Sequence, residues 1–214
     1  MRNRYDMQLH LLDIQLTHMG ELCETAIAKV TQALKEGNTE QAKIVIKEDE
    51  EIDQIEKDIE RLCLKLLLQQ QPVARDLRRI SAALKMITDM ERIGDQASDI
   101  AEIIGFLNGR IGTDAQYICQ MAVAAMRMVT ESVEAYVKRD VAMAEATIQH
   151  DDVVDDLFLK VKESLIQMIS ENPKDGEYAL DLLMIAKYFE RIGDHATNIA
   201  EWVVFSVTGV HEQV

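Results

Sequence analysis

The sequence predicts an all-α protein: a tandem duplication of an antiparallel three-helix bundle, with six long helices. One observation is composition. Aromatic residues make up 5% of the 214 residues and there are two prolines, whereas strand proteins are richer in aromatic, β-branched and turn-forming residues. The second observation is that the chain contains the same motifs twice, in the same order.

The internal repeat is clearest in two segments of twelve residues. Residues 91–102 read ERIGDQASDIAE and residues 190–201 read ERIGDHATNIAE, so nine of the twelve positions are identical. Upstream, residues 46–53 (IKEDEEID) correspond to residues 148–155 (IQHDDVVD). Two motifs that recur in the same order indicate a duplicated structural unit.

Turn-forming residues divide each repeat into three helices. Gly37 and Asn38 separate the first two helices, and Gln71-Pro72 separate the second from the third. Short connections of this kind make neighbouring helices antiparallel. The predicted helices span 5–35, 39–70, 75–107, 114–138, 140–171 and 177–207. The predicted domains are 1–109 and 110–214, joined through the glycine-containing segment 105–112.

The charge balance excludes several classes of partner. There are 38 acidic and 23 basic residues, a formal net charge of −15, which repels nucleic acids and anionic lipid surfaces. The longest apolar runs, such as 121–126, are too short to span a membrane, and no signal peptide is evident. Three cysteines cannot all pair, which favours a reducing compartment. A protein of the cytoplasm, with no nucleic-acid partner, is therefore expected.

Two acids continue an apolar stripe on the third predicted helix. At 100° per residue, Glu91 and Asp95 fall in line with Ile80 and Ile87. The sixth helix repeats the pattern, while Gln96 falls on the ordinary polar arc. A glycine between the two acids costs a helix about 1 kcal/mol relative to alanine. Close approach of another helix is one compensation for that cost.

A second pair of acids lies on the preceding helix of each repeat. Asp49 and Asp53 are i,i+4 neighbours, a spacing at which like charges disfavour a helix, and partial burial without a counter-charge costs more. Two adjacent antiparallel helices bring four carboxylates together, and such clusters suit Mg, Mn, Ca or Fe ions. The candidate metal ligands are Asp49, Asp53, Glu91 and Asp95 in the first repeat, and Asp151, Asp155, Glu190 and Asp194 in the second.

Ordinary salt bridges are the alternative interpretation of these acids. Arg92 and Arg191 lie beside the acidic motifs, and they or other basic side chains are available to neutralise them. Recurrence of both acid pairs in both repeats favours metal binding. Asp99 is replaced by Asn198 in the second repeat, so the second cluster is expected to be less negative and to bind less metal.

An enzymatic role has little support. No histidine has a glutamate three residues before it, which excludes the Glu-x-x-His motif of di-iron carboxylate enzymes. There is no glycine-rich phosphate loop, and Cys23, Cys63 and Cys119 have the apolar surroundings of core residues. His150 and His195 adjoin the acidic motifs, either as outer-shell donors or as solvent-facing side chains.

Three arginines stand out in this acidic chain. Arg75, Arg78 and Arg79 lie at the start of the third predicted helix, where their charge opposes the helix dipole. This placement favours a role in docking a partner or an anion over a structural role.

The motifs together resemble the PhoU family, the accessory and regulatory proteins of bacterial phosphate-specific transport. The resemblance rests on the two Glu-Arg-Ile-Gly-Asp motifs at 91–95 and 190–194, the repeated Asp-x-x-x-Asp pairs, and the segment QPVARDLRR at 71–79. It covers essentially the whole chain. The second repeat departs from the pattern, because residues 172–176 (NPKDG) replace the arginine-bearing segment.

The resemblance implies a non-catalytic, metal-binding role. Multinuclear iron or zinc clusters, with Mg or Mn as alternatives, are expected on the eight acids; Asp99, Glu50 and Asp152 are weaker candidates. The implied partners are the ATPase subunit of a phosphate ABC transporter, which it would control negatively, a phosphate-sensing histidine kinase and a second copy of the chain. Such partners would place it in the cytoplasm, at times peripherally at the inner face of the membrane. Two alternatives stay open, an acidic helical metal buffer and a carboxylate-bridged metalloenzyme.

Overall fold

The protein is helical throughout the part described by a computed structural model, which covers residues 2–69, 73–107, 109–110 and 115–210. These residues contain no strand, so the all-α prediction is confirmed. None of the helices in these ranges is both long enough and apolar enough to cross a membrane. The helices are α1 Arg2–Glu36, α2 Thr39–Gln69, α3 Ala74–Phe106, α4 Gln116–Lys138, α5 Val141–Gln149, α6 Asp151–Glu171 and α7 Gly176–Thr208, with a 3-10 turn at Pro173–Asp175.

Among the described residues, the predicted fifth helix differs from the observed structure. It is divided at His150 into α5 and α6, whereas α2, its counterpart in the first repeat, runs unbroken. His150 keeps right-handed backbone angles, so the chain continues forward instead of reversing. The new start places Asp151 and Asp152 in the first turn of α6, where negative charge complements the helix dipole. The predicted break at Gln71-Pro72 and most of segment 108–114 lie outside the described residues.

The first connection of each repeat has the same geometry. Gly37 ends α1 with φ 62° and Arg139 ends α4 with φ 57°. The following residues, Asn38 and Asp140, each accept a hydrogen bond from the backbone N–H three residues further on, at 3.1 and 3.0 Å. These are side-chain caps of the next helix. The duplication therefore extends to the details of the turns.

The central helices α3 and α7 pack along each other and join the two repeats. Each has apolar residues recurring every three or four positions over its whole length, the spacing of a buried helix face. Met90 and Ile93 on α3, and Phe189 and Ile192 on α7, are completely buried. One continuous core therefore runs through both three-helix bundles.

Polar contacts across α3 and α7 show that the two helices are antiparallel and related by an approximate two-fold axis. On one side of this axis, Asp89 accepts a hydrogen bond from Asn198 at 3.1 Å and pairs with Nδ1 of His195 at 2.9 Å. At the corresponding place on the other side of the axis, Tyr188 hydrogen-bonds Asp99. Equivalent positions of the two central helices therefore meet on both sides of the axis.

The polar arc of α3 is not fully exposed, which corrects one expectation. Gln96 was placed on the solvent side by periodicity, but it is buried. The physical reason is that α7 covers this arc of α3. The periodicity of one repeat does not show which of its residues the other repeat covers.

The Asp89 contacts yield a stability prediction. We expect Asp89→Ala to lower the free energy of unfolding by about 1–2 kcal/mol, because it leaves the half-buried His195 without its partner. The matched control is Asp58→Ala on α2, whose exposed ion pair with Arg61 is expected to contribute no more than about 0.5 kcal/mol. Urea unfolding measures both, and equal effects would show that the contact between repeats is not specific.

Candidate functional site

The four acids of the first repeat come together where α2 faces α3. We call Asp49, Asp53, Glu91 and Asp95 the first acid cluster. Burial, and then the negative charges of Asp95, Asp53 and Glu91 in that order, raise the pKa of Asp49 to about 6. Mutual repulsion of this kind requires that the carboxylates be close. The proximity expected from the sequence is therefore present.

The second repeat reproduces the arrangement where α6 faces α7. We call Asp151, Asp155, Glu190 and Asp194 the second acid cluster. Burial, and then the negative charges of Asp194, Asp155 and Glu190 in that order, raise the pKa of Asp151 to about 6. The same acid is enclosed in both repeats and is affected by its neighbours in the same order.

Glycine makes the close approach possible in both clusters. A Cβ added to Gly94 would lie 2.7 Å from Oδ1 of Asp49 and 2.9 Å from Cδ1 of Ile52. At Gly193 the nearest atom would be Oδ1 of Asp151, at 3.1 Å. Each glycine therefore lets the neighbouring helix, α2 or α6, approach the central helix closely. Asp49 or Asp151 then lies directly against that central helix. This is the compensation that the sequence suggested for a glycine inside a helix.

Each cluster also contains a basic side chain. In the first, Nη1 of Arg92 lies 2.8 Å from Asp95 and Nε lies 3.5 Å from Glu91. A second cation of this cluster, Lys57, lies 3.7 Å from Asp53. In the second, the cation is Lys187, which pairs with Glu190. The salt-bridge interpretation therefore describes Arg92 correctly. The positive charge of Arg191 instead acts to lower the pKa of Asp99, a residue of the opposite repeat.

The donors suit a cation, but they do not converge on one point. The acid clusters supply carboxylate oxygen alone, the chemistry preferred by Mg, Mn and Ca and accepted by iron. Among the described residues, no three acid, histidine or cysteine side chains are placed to hold one ion together. Because the basic side chains occupy the acids, metal binding requires Arg92 and Lys187 to turn away. Their side chains are 54% and 47% exposed, so both can turn into solvent.

The weaker candidates of the first repeat separate into two kinds. Asp99 contributes to the electrostatics of Asp49, but its carboxylate is bonded to Tyr188 across the repeat boundary. Glu50 is exposed. In the second repeat Asp152 is likewise exposed, although its charge reaches Asp151.

Sequence reasoning missed one acid of the first cluster's surroundings. Burial raises the pKa of Glu56, and the charge of Asp53 adds to the shift; Glu56 in turn raises the pKa of Glu91. The signal was available, since Asp49, Asp53 and Glu56 follow the i, i+4, i+7 spacing of one helix face. The corresponding position of α6 is Phe158, which lies against Lys187. The first cluster thus has an acid at a position where the second has an aromatic ring.

The cysteines have no catalytic environment. All three thiols are free. Burial raises the pKa of both Cys23 and Cys63 to about 12, and Cys23 donates to the carbonyl of Met90 at 3.3 Å. A thiol held protonated is a poor nucleophile. Cys23 and Cys63 are core residues as expected, and Cys119 is partly exposed.

The three arginines of the first turns of α3 are placed unequally. Arg79 is 11% exposed, pairs with Asp13 and lies beside the ring of Tyr136. Arg75 is exposed and Arg78 is half-buried. Arg79 is therefore held within the fold, and only its two neighbours have accessible side chains.

Comparison with known proteins identifies the family. The PhoU domain model matches the chain twice, over residues 16–104 and 118–203. A phosphate-specific transport system accessory protein PhoU homolog of Clostridium acetobutylicum is 36% identical over 210 residues, covering 97% of this chain and 96% of that one. The chain belongs to the PhoU family.

Solved structures agree over nearly the whole length. The crystal structure of PhoU from Pseudomonas aeruginosa has a TM-score of 0.91 at 31% identity, covering 96% of this chain and all of that one. The phosphate transport system regulatory protein PhoU from Streptococcus pneumoniae has a TM-score of 0.89 at 25% identity, covering 98% and 100%. The family consists of regulatory accessory proteins and not of enzymes, which confirms the prediction of a non-catalytic chain.

Three glycines provide a graded test of helix approach at the clusters. We expect Gly94→Ala to destabilise the protein by about 1–2 kcal/mol, because the new methyl group overlaps Asp49 and the buried Ile52. Gly193→Ala, with a clearance of 3.1 Å, should be close to neutral. The control is Gly105→Ala on α3, which meets nothing within 4 Å and should stabilise by up to about 1 kcal/mol. Thermal and urea unfolding measure the series, and a stabilising Gly94→Ala would refute the close approach.

Proposed function

We propose that this protein is a cytoplasmic metal-binding adaptor that negatively controls a phosphate ABC transporter and its sensor kinase. The observation that supports it best is the pair of acid clusters, kept at corresponding places in both repeats despite the cost of enclosing like charges. The relatives named as phosphate-transport accessory proteins supply the regulatory context. A bound cation would neutralise the enclosed carboxylates and stabilise each helix pair.

The ligands proposed for the metal are the two acid clusters. Their carboxylates would contribute charge and oxygen donors, with iron or zinc as the first metals to test and Mg or Mn next. The first cluster has additional negative charge from Asp99 and Glu56, where the second has Asn198 and Phe158. We therefore propose that the first cluster binds metal more tightly.

The proposed partners are proteins. They are the ATPase subunit of the transporter, a phosphate-sensing histidine kinase and a second copy of this chain. A net charge of −15 favours partner surfaces that are basic and increases the rate of encounter with them. Through such partners the protein would be held at the inner face of the membrane without entering it.

Metal content tests the clusters directly. We expect the purified, tag-free protein to contain stoichiometric transition metal, and Asp49→Asn and Asp151→Asn each to lose the metal of one repeat, because each removes the charge of the carboxylate that lies against the central helix. The control Asp58→Asn changes an exposed acid of α2 outside the cluster. Elemental analysis after reconstitution gives the stoichiometry, with circular dichroism to verify helicity. Wild-type protein that stays metal-free would identify the acids as salt-bridged residues.

Complementation tests the regulatory role. Deleting the gene from its host should derepress a phosphate-starvation reporter in high phosphate, and the wild-type gene should restore repression. We expect the combined Asp49→Asn, Asp151→Asn variant, at equal protein level, to restore it poorly, and Asp58→Asn to restore it fully. A deletion that leaves the reporter unchanged while altering cellular metal content would identify a metal buffer instead.

A further inference from the structure

A cavity lined by arginines lies between the two repeats, far along α3 from the acids. It has a volume of about 350 Å³. Its walls come from the first turns of α3, the last turn of α4 and the last turn of α7. The lining residues are Arg75, Arg78, Arg79, Tyr136, Arg139, Ser206 and Val207. We call it the arginine cavity.

The positive charge of this cavity is largely uncompensated. Arg79 is paired with Asp13, but within the described residues no ion pair joins Arg75, Arg78 or Arg139 to a carboxylate. Three guanidinium groups therefore share one cavity without an ion pair to any described carboxylate. Their mutual repulsion is unfavourable to folding, and it persists in a chain that carries an excess of acids able to neutralise it.

Two of the guanidinium groups also have buried nitrogen atoms without partners. The Nε atoms of Arg78 and Arg79 are inaccessible to solvent and make no hydrogen bond within the described residues. Arg78 is held in place by its packing against Gly209 at the end of α7, with atoms 3.5 Å from the position of an added Cβ. Unpaired buried donors are costly, so the two arginines are held beside the cavity at an energetic cost.

The backbone at Arg139 gives independent support. Its φ of 57° is the one positive value at a non-glycine position in the described ranges, a conformation that glycine adopts most easily. The corresponding position of the first repeat is Gly37, with φ 62°. An arginine therefore occupies the glycine position of the turn only in the repeat whose turn borders the cavity. Its neighbours are otherwise engaged: Lys138 pairs with Glu134 and Asp140 caps α5.

We propose that the arginine cavity is a binding site for a phosphate-class oxyanion, either inorganic phosphate or the phosphoryl group of a small phosphorylated molecule. Guanidinium groups match the tetrahedral oxygens of phosphate with paired hydrogen bonds. Three positive charges without an ion pair among the described residues suit a ligand that carries two or more negative charges. The walls come from both repeats, so a bound anion would tie the end of α4 and the end of α7 to the start of α3. This site is separate from the metal clusters and does not depend on the proposed regulatory role.

The test is titration calorimetry on the full chain with inorganic phosphate, at fixed ionic strength and with a chelator present. The chelator prevents phosphate from binding through metal at the acid clusters. We expect saturable binding of one phosphate per chain. Arg78→Gln should weaken it about tenfold or more, the loss of a charged hydrogen-bond donor. The control Arg127→Gln, on α4 and ion-paired with Glu131, should bind as the wild type does.

Arg139→Gly separates binding from folding. Glycine suits the left-handed turn, so the variant should melt at no lower temperature than the wild type without phosphate. Phosphate should raise the melting temperature of the wild type by linkage but not that of Arg139→Gly. A variant that melts lower without phosphate would show that Arg139 is structural, and would overturn the proposal.

Further ligands identify the source of the anion. A sugar phosphate that binds more tightly than phosphate would indicate a phosphorylated metabolite, and weaker binding would indicate free phosphate; both support the site. No binding of either, or an equal loss in Arg127→Gln, would overturn it. Displacement of phosphate by an acidic peptide of higher affinity would also overturn it, in favour of a protein-docking surface. None of these failures bears on the metal or complementation experiments.

Discussion

The packing of α3 against α7 is the constraint on which the rest of the structure depends. Each of these helices is buried along one face by its own repeat and along another by the opposite repeat, which is why the apolar positions of both extend over two arcs. With those arcs occupied, the acidic stripe of each helix has one direction left, toward α2 or α6. The position of both acid clusters therefore follows from the pairing of the two central helices.

Enclosing acids of like charge has an energetic cost that opposes this packing. Asp49 and Asp151 are each raised to a pKa of about 6 by burial and by neighbouring carboxylates, so near neutral pH both are charged at an energetic cost. The chain lowers the cost with nearby cations, Arg92 and Lys57 in the first cluster and Lys187 in the second. It does not remove the acids, and it keeps glycine where the helices meet. Cations from solution are the remaining means of neutralisation, which is the physical basis for the proposed metal role.

Much of the fold was predictable because the duplication is written in the sequence. Helix types, the antiparallel order and the pairing of acids on neighbouring helices all follow from periodicity within one repeat. The burial of Gln96 and the bonding of Asp99 to Tyr188 did not follow, because they depend on how one repeat meets the other. The break at His150 was also missed, since a residue with helical backbone angles leaves no turn signal in the sequence.

The divergence between the repeats is as informative as their similarity. Both keep the enclosed aspartate, the glycine opposite it and the turn geometry that follows the first helix, so these features serve whatever the two halves do in common. The arginines of α3 and Arg139 occur in single copy and meet at one end of the molecule. Their guanidinium groups come from opposite repeats, so neither half contains this cavity alone. A duplicated protein can thus hold two equivalent sites within its repeats and one unique site between them. The unique site, formed at the junction, is the place where a ligand would act on both halves together.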